Sequence, residues 1–379
     1  MRAAIALTAL LLLAPLLLVD VPPLLDYPNH LARLYLLAHG SDIPSLAPLF
    51  TPHWAIIPNL AVDLAYPLLT LLPVHIAGRL ILAALLLLQF TGVLALNRAL
   101  FGRVHPWALA SAFVIPSGAF LLGFLNFTAG LGAALLTAAL WIAHTPRHPR
   151  ATCLLASIAT IALFFCHLMG ALFALILILS HEARAPRNTR LRHYLATAPL
   201  ILIPAFLYLS APLNALPGAA EYLPVGQKLA QLLAPFTAYS LPLDLLAAAA
   251  ITLFLLACAL TRRLETPPGI RLALLALAAL YAAAPYAFKG TQSLDTRFLP
   301  MFALTLFAGT RPHGIAAPLP LHLAAAFAAL FLARTSLLAT TWHLHGNDLA
   351  RFRATIAPLA PTDKTYLAAA SPPTVPRLS

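Results

Sequence analysis

Residues 3–19, AAIALTALLLLAPLLLV, form an apolar run that is followed directly by VPPLLDYPNHLARLY at residues 21–35. The run is within the range that can cross a bilayer, since a spanning helix needs about 20 apolar residues. The junction, Val19 to Pro23, is not a small-residue cleavage site, so we expect a retained signal-anchor helix with a cytoplasmic N-terminus. The second stretch then lies where this helix leaves the membrane.

The composition extends this prediction to the whole chain. Of 379 residues, 61% are hydrophobic and 9% are charged, and the mean hydropathy is +0.88. Soluble domains carry about 25% charged residues, so we predict an all-α, polytopic protein of a bacterial inner membrane. The net charge of +12 first indicates cytoplasmic loops and predicts no nucleic-acid partner. The three cysteines lie in apolar runs without CxxC spacing, which predicts neither disulfides nor a zinc site.

Apolar runs recur along the chain. They lie near residues 3–19, 78–97, 107–122, 127–143, 151–181, 195–211, 239–260, 271–287, 298–310 and 316–333. Residues 55–72 are apolar too, but Pro58, Asn59, Asp63 and Pro67 interrupt them. An Asp at the centre of a span costs about 2.5 to 3.5 kcal/mol, so we expect this segment to return to the side it came from.

Basic clusters in the loops decide how the runs are threaded. They occur at Arg98 and Arg103, at Arg147 and Arg150, at Arg184 to Arg192, at Arg262 to Arg271, and at Arg311. All fall on one side if residues 55–72 do not cross and if residues 151–181 form a hairpin turning near Cys166 and His167. The positive-inside rule favours this arrangement, which has about eleven crossings.

The same threading sends most other polar residues to the far side, the periplasm. These are Asp20, the stretch from Asp26 to His30, His53, Asn126, His167, Glu221 with Lys228, and residues 288–298. The predicted transmembrane domain covers residues 1–333, and residues 334–379 form a short periplasmic tail. Any chemistry is therefore expected at the periplasmic face, where the first loop carries amphipathic surface helices.

Two interpretations of Asp26 stay open. It precedes Tyr27-Pro28, and apolar residues follow at spacings of three and four, which is typical of a helix on the membrane surface capped by Asp26. His30 and Arg33 would then form the wet face of that helix. Alternatively, Asp26 is a general base at the mouth of a cavity and His30 orients it. A capping carboxylate is a weaker base, so the two roles are only partly compatible.

The loop FKGTQSLDTR at residues 288–297 places cations between two apolar runs. Lys289 and Arg297 can hold a phosphate, the lysine as a point charge and the arginine through paired hydrogen bonds. Two other interpretations are an ion pair between Asp295 and Arg297, and an Arg297 side chain that reaches the lipid headgroups.

Asp63 and His167 are further candidates for substrate binding. An acid at membrane depth generally faces a cavity or a partner, although Asp63 would be wet if its segment crosses only halfway. His167 at the hairpin apex and His30 lack the spacing of a metal site, and a lone apical histidine is more often a hydrogen-bonded core residue. We therefore predict no metal ligands. Walker, dinucleotide and HExxH motifs are absent from the sequence, which argues against coupling to ATP.

The first hundred residues carry a further pattern. Asp26 follows the first run, and HWAIIPNL (53–60), AGRL (77–80) and ALFG (99–102) come next. This order resembles the protein-mannosyltransferase and aminoarabinose-transferase branch of the GT-C superfamily of polytopic glycosyltransferases. In that branch, a His-Pro-Pro-Leu stretch precedes an Ala-Arg-Leu helix start and a Leu-Phe-Gly loop. The usual acidic pair, Asp-Glu, is Asp26-Tyr27 here, so the second acid is missing and a role for a divalent cation stays open.

The resemblance implies an enzyme that takes its sugar from a polyprenyl phosphate and works on the outer face. Asp26 would be the base, His30 its orienter, and Lys289 with Arg297 the phosphate clamp, while the prenyl tail would lie in an apolar groove between spans. The sugar and the acceptor are not specified by the residues. Two alternatives remain open: a transporter or flippase with Asp63 on its path, and a non-catalytic subunit of a membrane assembly.

Overall fold

The computed structural model describes residues 1–44, 47–116, 118–212, 218–314 and 319–359. Helices make up 73% of these described residues, which confirms the all-α prediction. Within the described ranges, the strands are β1 (Leu264–Glu265) and β2 (Arg311–Pro312), which pair antiparallel. The α-helices are α1 (Arg2–Leu13), α2 (Tyr27–His39), α3 (Val74–Phe101), α4 (Gly118–Leu121), α5 (Leu125–His144), α6 (Pro149–Cys166), α7 (Leu168–Glu182), α8 (Arg190–Ala196), α9 (Ala198–Ser210), α10 (Val225–Gln231), α11 (Leu241–Leu260), α12 (Pro268–Ala283), α13 (Phe298–Gly309) and α14 (Leu319–Ile356).

Five of the described helices are long and apolar enough to cross a membrane, namely α3, α5, α6, α11 and α14. Helices α8 and α9, bent by 41°, add a sixth if they are one broken span. Helices α7 and α12, and α1 together with the 3₁₀ turn that follows it, are apolar but shorter. The figure of about eleven crossings therefore stays a prediction.

Two of the apolar stretches singled out in the sequence form no long helix. Residues 107–122 were expected to cross, but a 3₁₀ helix, Pro106–Phe113, is followed there by the single turn of α4. Pro116 lies between them and has no N–H to continue a helix, which explains the break. Residues 55–72 contain turns and the 3₁₀ helix Asp63–Thr70, so this segment contains no helix of spanning length, as predicted.

The predicted hairpin is present, because α6 ends at Cys166, His167 is extended, and α7 begins at Leu168. The ends of α6 and α7 that lie away from His167 are held together by α8. Cys153 near the start of α6 contacts the carbonyl of Ala196 in α8, and His193, also in α8, pairs with Glu182 at the end of α7. His167 is therefore at the apex.

The loops with the basic clusters meet at one end of the bundle, which we call the basic end. Asn97 of α3 donates to the carbonyl of Ala308 near the end of α13 at 2.9 Å. Trp141 of α5 donates to Glu182 at the end of α7 at 2.7 Å. Gly269 at the start of α12 packs against Ser180 and His181, while its neighbour Ile270 packs against Gly309. These contacts gather the ends of α3, α5, α7 and α13 with the start of α12.

The opposite end, which we call the polar end, gathers the polar residues that were assigned to the far side. Asn126 at the start of α5 bonds the turn at Asn59, and the backbone of Leu60 bonds the carbonyl of Phe165 beside the hairpin apex. The Asp26 N–H donates to the carbonyl of Leu122 at 3.2 Å. The separation of basic from other polar residues follows the sequence prediction.

Close helix packing positions both ends. Gly92 of α3 faces Gly132 of α5, and Gly130 of α5 faces Gly170 of α7, where an added Cβ would meet backbone atoms at about 3 Å. Small residues at such crossings let helices approach without side chains between them. Helix α5 thus holds α3 and α7, and it carries Asn126 and Phe127 at its polar end.

Helix α14 runs through the boundary that was predicted between residues 333 and 334. Trp342 is fully buried and donates to the hydroxyl of Tyr239 at 3.0 Å. Arg334 is buried as well, and it donates to the carbonyls of Phe113 and Phe236 and to Asp244. Residues 319–356 therefore form one helix across that boundary, which is buried against the bundle at Arg334, Leu338 and Trp342, and residues 360–379 of the predicted tail lie outside the described residues.

Candidate functional site at the polar end

Asp26 stands at the start of α2 with its carboxylate free of the helix backbone. The Asp26 side chain forms no hydrogen bond with the backbone N–H groups of α2, so Asp26 is the N-cap residue by its position alone. Oδ1 instead accepts from the Asn29 amide at 2.8 Å, and the side chain is 47% exposed. Tyr27, Leu31 and Leu34 bury the opposite face of the helix. The carboxylate therefore keeps lone pairs available for a proton.

His30 lies between two acids instead of facing water. It is 7% exposed, so the expectation that it forms the wet face of α2 is wrong, because the start of α2 packs against residues 121–123. Its Nε2 is 3.7 Å from Asp26 Oδ2, which is longer than a hydrogen bond. Burial lowers the pKa of His30, with the Asp26 charge acting against the change, so the ring is neutral at pH 7.

Asp63 has a partner on α2. Its carboxylate is buried at the first residue of the 3₁₀ helix and accepts from the guanidinium of Arg33, and no hydrogen-bond partner is found for Oδ1 among the described residues. Asn126 fixes this position, because its side chain accepts from the Val62 N–H and donates to the Asn59 carbonyl, both at 2.9 Å. The alternative of a wet, unremarkable Asp63 is therefore wrong. Asp26, His30, Arg33 and Asp63 form a first cluster.

Arg297 and His167 form a second cluster on the other side of residues 122–127. Nη1 of Arg297 contacts Nε2 of His167, and its guanidinium carbon lies 5.0 Å from the ring of Phe124 and 5.7 Å from that of Phe127. No carboxylate pairs with Arg297 among the described residues, and its Nε has no partner there. Burial lowers the pKa of Arg297 to about 10.

The contact between these two side chains lacks an acceptor. Nδ1 of His167 already accepts from the Met169 N–H at 3.0 Å, as the cap of α7. Burial and the neighbouring Arg297 lower the pKa of His167 to about 3, so the ring is neutral and has a single acceptor nitrogen. The Met169 N–H and the Arg297 guanidinium each face one ring nitrogen, so the ring can accept from only one of them. One N–H donor therefore lacks an acceptor at this ring.

Lys289 lies beside Phe288, and Asp295 lies near Lys228 instead of Arg297. The ammonium group of Lys289 lies 5.8 Å from the ring of Phe288, and its backbone packs against Gly218. Asp295 is fully buried, accepts from the Thr296 N–H and lies 3.9 Å from the ammonium of Lys228. The alternative ion pair between Asp295 and Arg297 is therefore wrong.

The two clusters share a support. Gly123 has a φ of +78°, and a Cβ there would meet the backbone N of Asp26 at 2.7 Å. The next residue, Phe124, lies against Arg297. Sequence reasoning missed Phe124 and Phe127, although two rings beside Asn126 at a predicted helix start were the available signal.

Metal ligands are not grouped at either cluster. Across residues 1–44, 47–116, 118–212, 218–314 and 319–359, no three His, Cys, Asp or Glu side chains are placed to hold one ion. No protein family, curated protein or solved structure matches this chain. The two clusters are therefore the features of this chain that indicate a function.

Proposed function

We propose that the chain is an integral protein of the bacterial inner membrane. Helix α11 leaves Leu245, Leu253 and Leu256 more than half exposed, and α14 is apolar over a length that can cross a bilayer. Soluble proteins rarely expose contiguous apolar surface of this kind. The positive-inside rule assigns the basic end to the cytoplasm and the polar end to the periplasm.

Its function in this proposal is to transfer a sugar from a polyprenyl phosphate to an acceptor at the periplasmic face. The observation that carries it is that the Arg297 guanidinium has no carboxylate partner among the described residues and shares the single acceptor nitrogen of the neutral His167 ring with the Met169 N–H. Arginine is a common ligand of phosphate oxygens. A partly buried cation without a carboxylate partner is costly, and an anionic ligand offsets that cost.

In this proposal the prenyl chain of the donor binds in an apolar groove between two helices. An apolar groove of about 660 Å³ runs between α11 and α14, lined by Leu246, Phe254, Phe327 and Leu330. It extends as far as Arg263 at the basic end. A prenyl chain that enters from the lipid would contact hydrocarbon along this groove, while its phosphate stays at the polar end.

The reaction is a single displacement that inverts the anomeric carbon. The acceptor oxygen attacks that carbon, the bond to the phosphate oxygen breaks, and the phosphate leaves with the electron pair. Asp26 takes the acceptor proton, which typically contributes about 10² to 10⁴ in rate. His30 closes from 3.7 Å to hydrogen-bond distance and orients the carboxylate in the substrate complex, and Arg297 stabilises the charge on the departing phosphate. Lys289 is an additional phosphate ligand in this proposal.

The test is transfer of radiolabelled sugar from a polyprenyl-phosphate donor in reconstituted vesicles. Asp26→Asn should lower the rate by at least two orders of magnitude. Asp42→Asn is the matched control, because Asp42 lies just after the opposite end of α2 and is exposed. Full activity of a correctly inserted Asp26→Asn protein would contradict the base assignment.

The same vesicles distinguish the transporter alternative. If labelled substrate enters sealed vesicles without consumption of the lipid-linked sugar, the protein moves its substrate and does not transfer it. If neither transfer nor transport is seen with a panel of donor sugars, the non-catalytic alternative is favoured.

A further inference from the structure

The segment from Trp54 to Leu71 has its charged residue inside and its leucines outside. Leu64, Leu68 and Leu71 are 56%, 36% and 80% exposed, whereas Asp63 is 1% exposed. In water the opposite arrangement is expected, with the acid solvated and the leucines buried. The pattern fits a segment whose outer surface meets hydrocarbon.

The backbone of this segment directs its polar groups toward the protein. Before the 3₁₀ helix the chain is irregular, and such a backbone cannot face lipid unless its hydrogen bonds are made elsewhere. The N–H groups of Leu60 and Ala61 donate to the carbonyl of Phe165. Asn126 bonds both the Val62 N–H and the Asn59 carbonyl. These inward bonds satisfy the N–H groups of residues 60–62 and the Asn59 carbonyl without water.

Aromatic residues and α3 complete the surface. The Trp54 and Tyr66 rings lie 6.2 Å apart, and Trp54 is 49% exposed. Tryptophan and tyrosine favour the membrane–water boundary. After Leu71, α3 begins and exposes Ile76 and Leu80, so the apolar surface of the segment continues into that of a spanning helix.

We infer that residues 54–71 dip into the periplasmic leaflet and return, with the leucines among the lipid acyl chains and Trp54 near the headgroups. This inference rests on the proposed membrane location and not on sugar transfer. The pairing of Asp63 with Arg33 keeps the acid out of the lipid. It also places the cluster around Asp26 at headgroup level, where a lipid-borne substrate is presented.

Tryptophan fluorescence tests the inference in the full protein. Trp107, Trp141 and Trp342 are at most 7% exposed, so lipid-borne quenchers should reach mainly Trp54. Vesicles of phosphatidylcholine brominated at the headgroup end of the acyl chains should quench the wild type, and Trp54→Phe should remove most of that quenching. Equal quenching of wild type and variant, or quenching of Trp54 by aqueous acrylamide instead, would overturn the inference.

Cysteine accessibility separates this inference from the membrane proposal. In a background without native cysteines, Leu71→Cys should be protected from an impermeant maleimide in vesicles, whereas Ser41→Cys, at an exposed polar position, should react. Leu253→Cys on α11 reports the membrane location. Labelling of Leu71→Cys with Leu253→Cys protected overturns the inserted segment alone, and labelling of both contradicts the membrane location too.

Discussion

Replacing Arg297 by methionine should stabilise the protein without ligand and abolish its response to a phosphate lipid. Methionine keeps the apolar stem against Phe124 and Phe127 and removes the charge. A buried arginine is usually expected to destabilise the fold when it is lost. Here the expected change in stability has the opposite sign, because no described carboxylate loses its partner and the His167 ring no longer faces a guanidinium.

The magnitude follows from the cost of burying the charge. Burial lowers the pKa of Arg297 from 12.5 to about 10, and each pKa unit corresponds to about 1.4 kcal/mol, so the cost is about 3 kcal/mol. Lost packing offsets part of this gain, so the variant should be between neutral and about 3 kcal/mol more stable than the wild type. A bound phosphate at a hundredfold excess over its Kd adds about 2.7 kcal/mol to the wild type only.

The assay is thermal unfolding in detergent micelles, with and without polyprenyl phosphate. The wild type should melt at a higher temperature with the lipid, and Arg297→Met should not respond, because losing a buried charge contact costs about 2 to 5 kcal/mol of binding. Arg351→Met, at an exposed position of α14, is the control and should behave as wild type. A lipid response shared by both variants, or a strongly destabilised Arg297→Met, would refute the unpaired-cation argument.

Three further predictions concern positions around the site and within the bundle. Arg334→Met should destabilise the protein by about 3 to 5 kcal/mol in the same unfolding assay, because it leaves the carboxylate of Asp244 buried without its cation. Asn126→Leu should cost about 1 to 3 kcal/mol there, because the Val62 N–H loses its acceptor and the Asn59 carbonyl loses its donor. His167 should stay neutral from pH 5 to 8, since its pKa is about 3, so its ring proton resonances should not titrate in that range, whereas a normal titration near pH 6.5 would contradict its burial.

The general architecture was accessible from the sequence because hydropathy and charge act over long stretches. The hairpin apex at His167 followed from requiring all basic loops on one side, and the structure places them at one end. The failure at residues 107–122 has a local cause: Pro106, Pro116 and the turn at Gly123 break a run that is apolar enough to cross. Hydropathy measures how well residues tolerate lipid and does not measure whether their backbone can stay helical.

The site was accessible only in part, because pairings between distant segments leave no trace in one sequence. Asp26, Asp63, His167 and Arg297 were chosen by residue type and position, yet the pairing of Asp63 with Arg33 depends on how the 3₁₀ helix meets α2. Likewise, the burial of His30 follows from packing at residues 121–123. Because this packing involves a distant segment, the sequence pattern of α2 alone predicted His30 on the wet face.

Two arginines differ in how the protein compensates their charge. Arg334 is buried and meets Asp244 and two backbone carbonyls, so its charge is compensated inside the protein and links α14 to α11. Arg297 is partly buried and meets a neutral ring, and a backbone carbonyl only at 3.5 Å. Both leave Nε without a partner in the described structure, so a free Nε does not distinguish them. The carboxylate partner does, and its absence among the described residues around Arg297 is the physical reason for proposing a phosphate there.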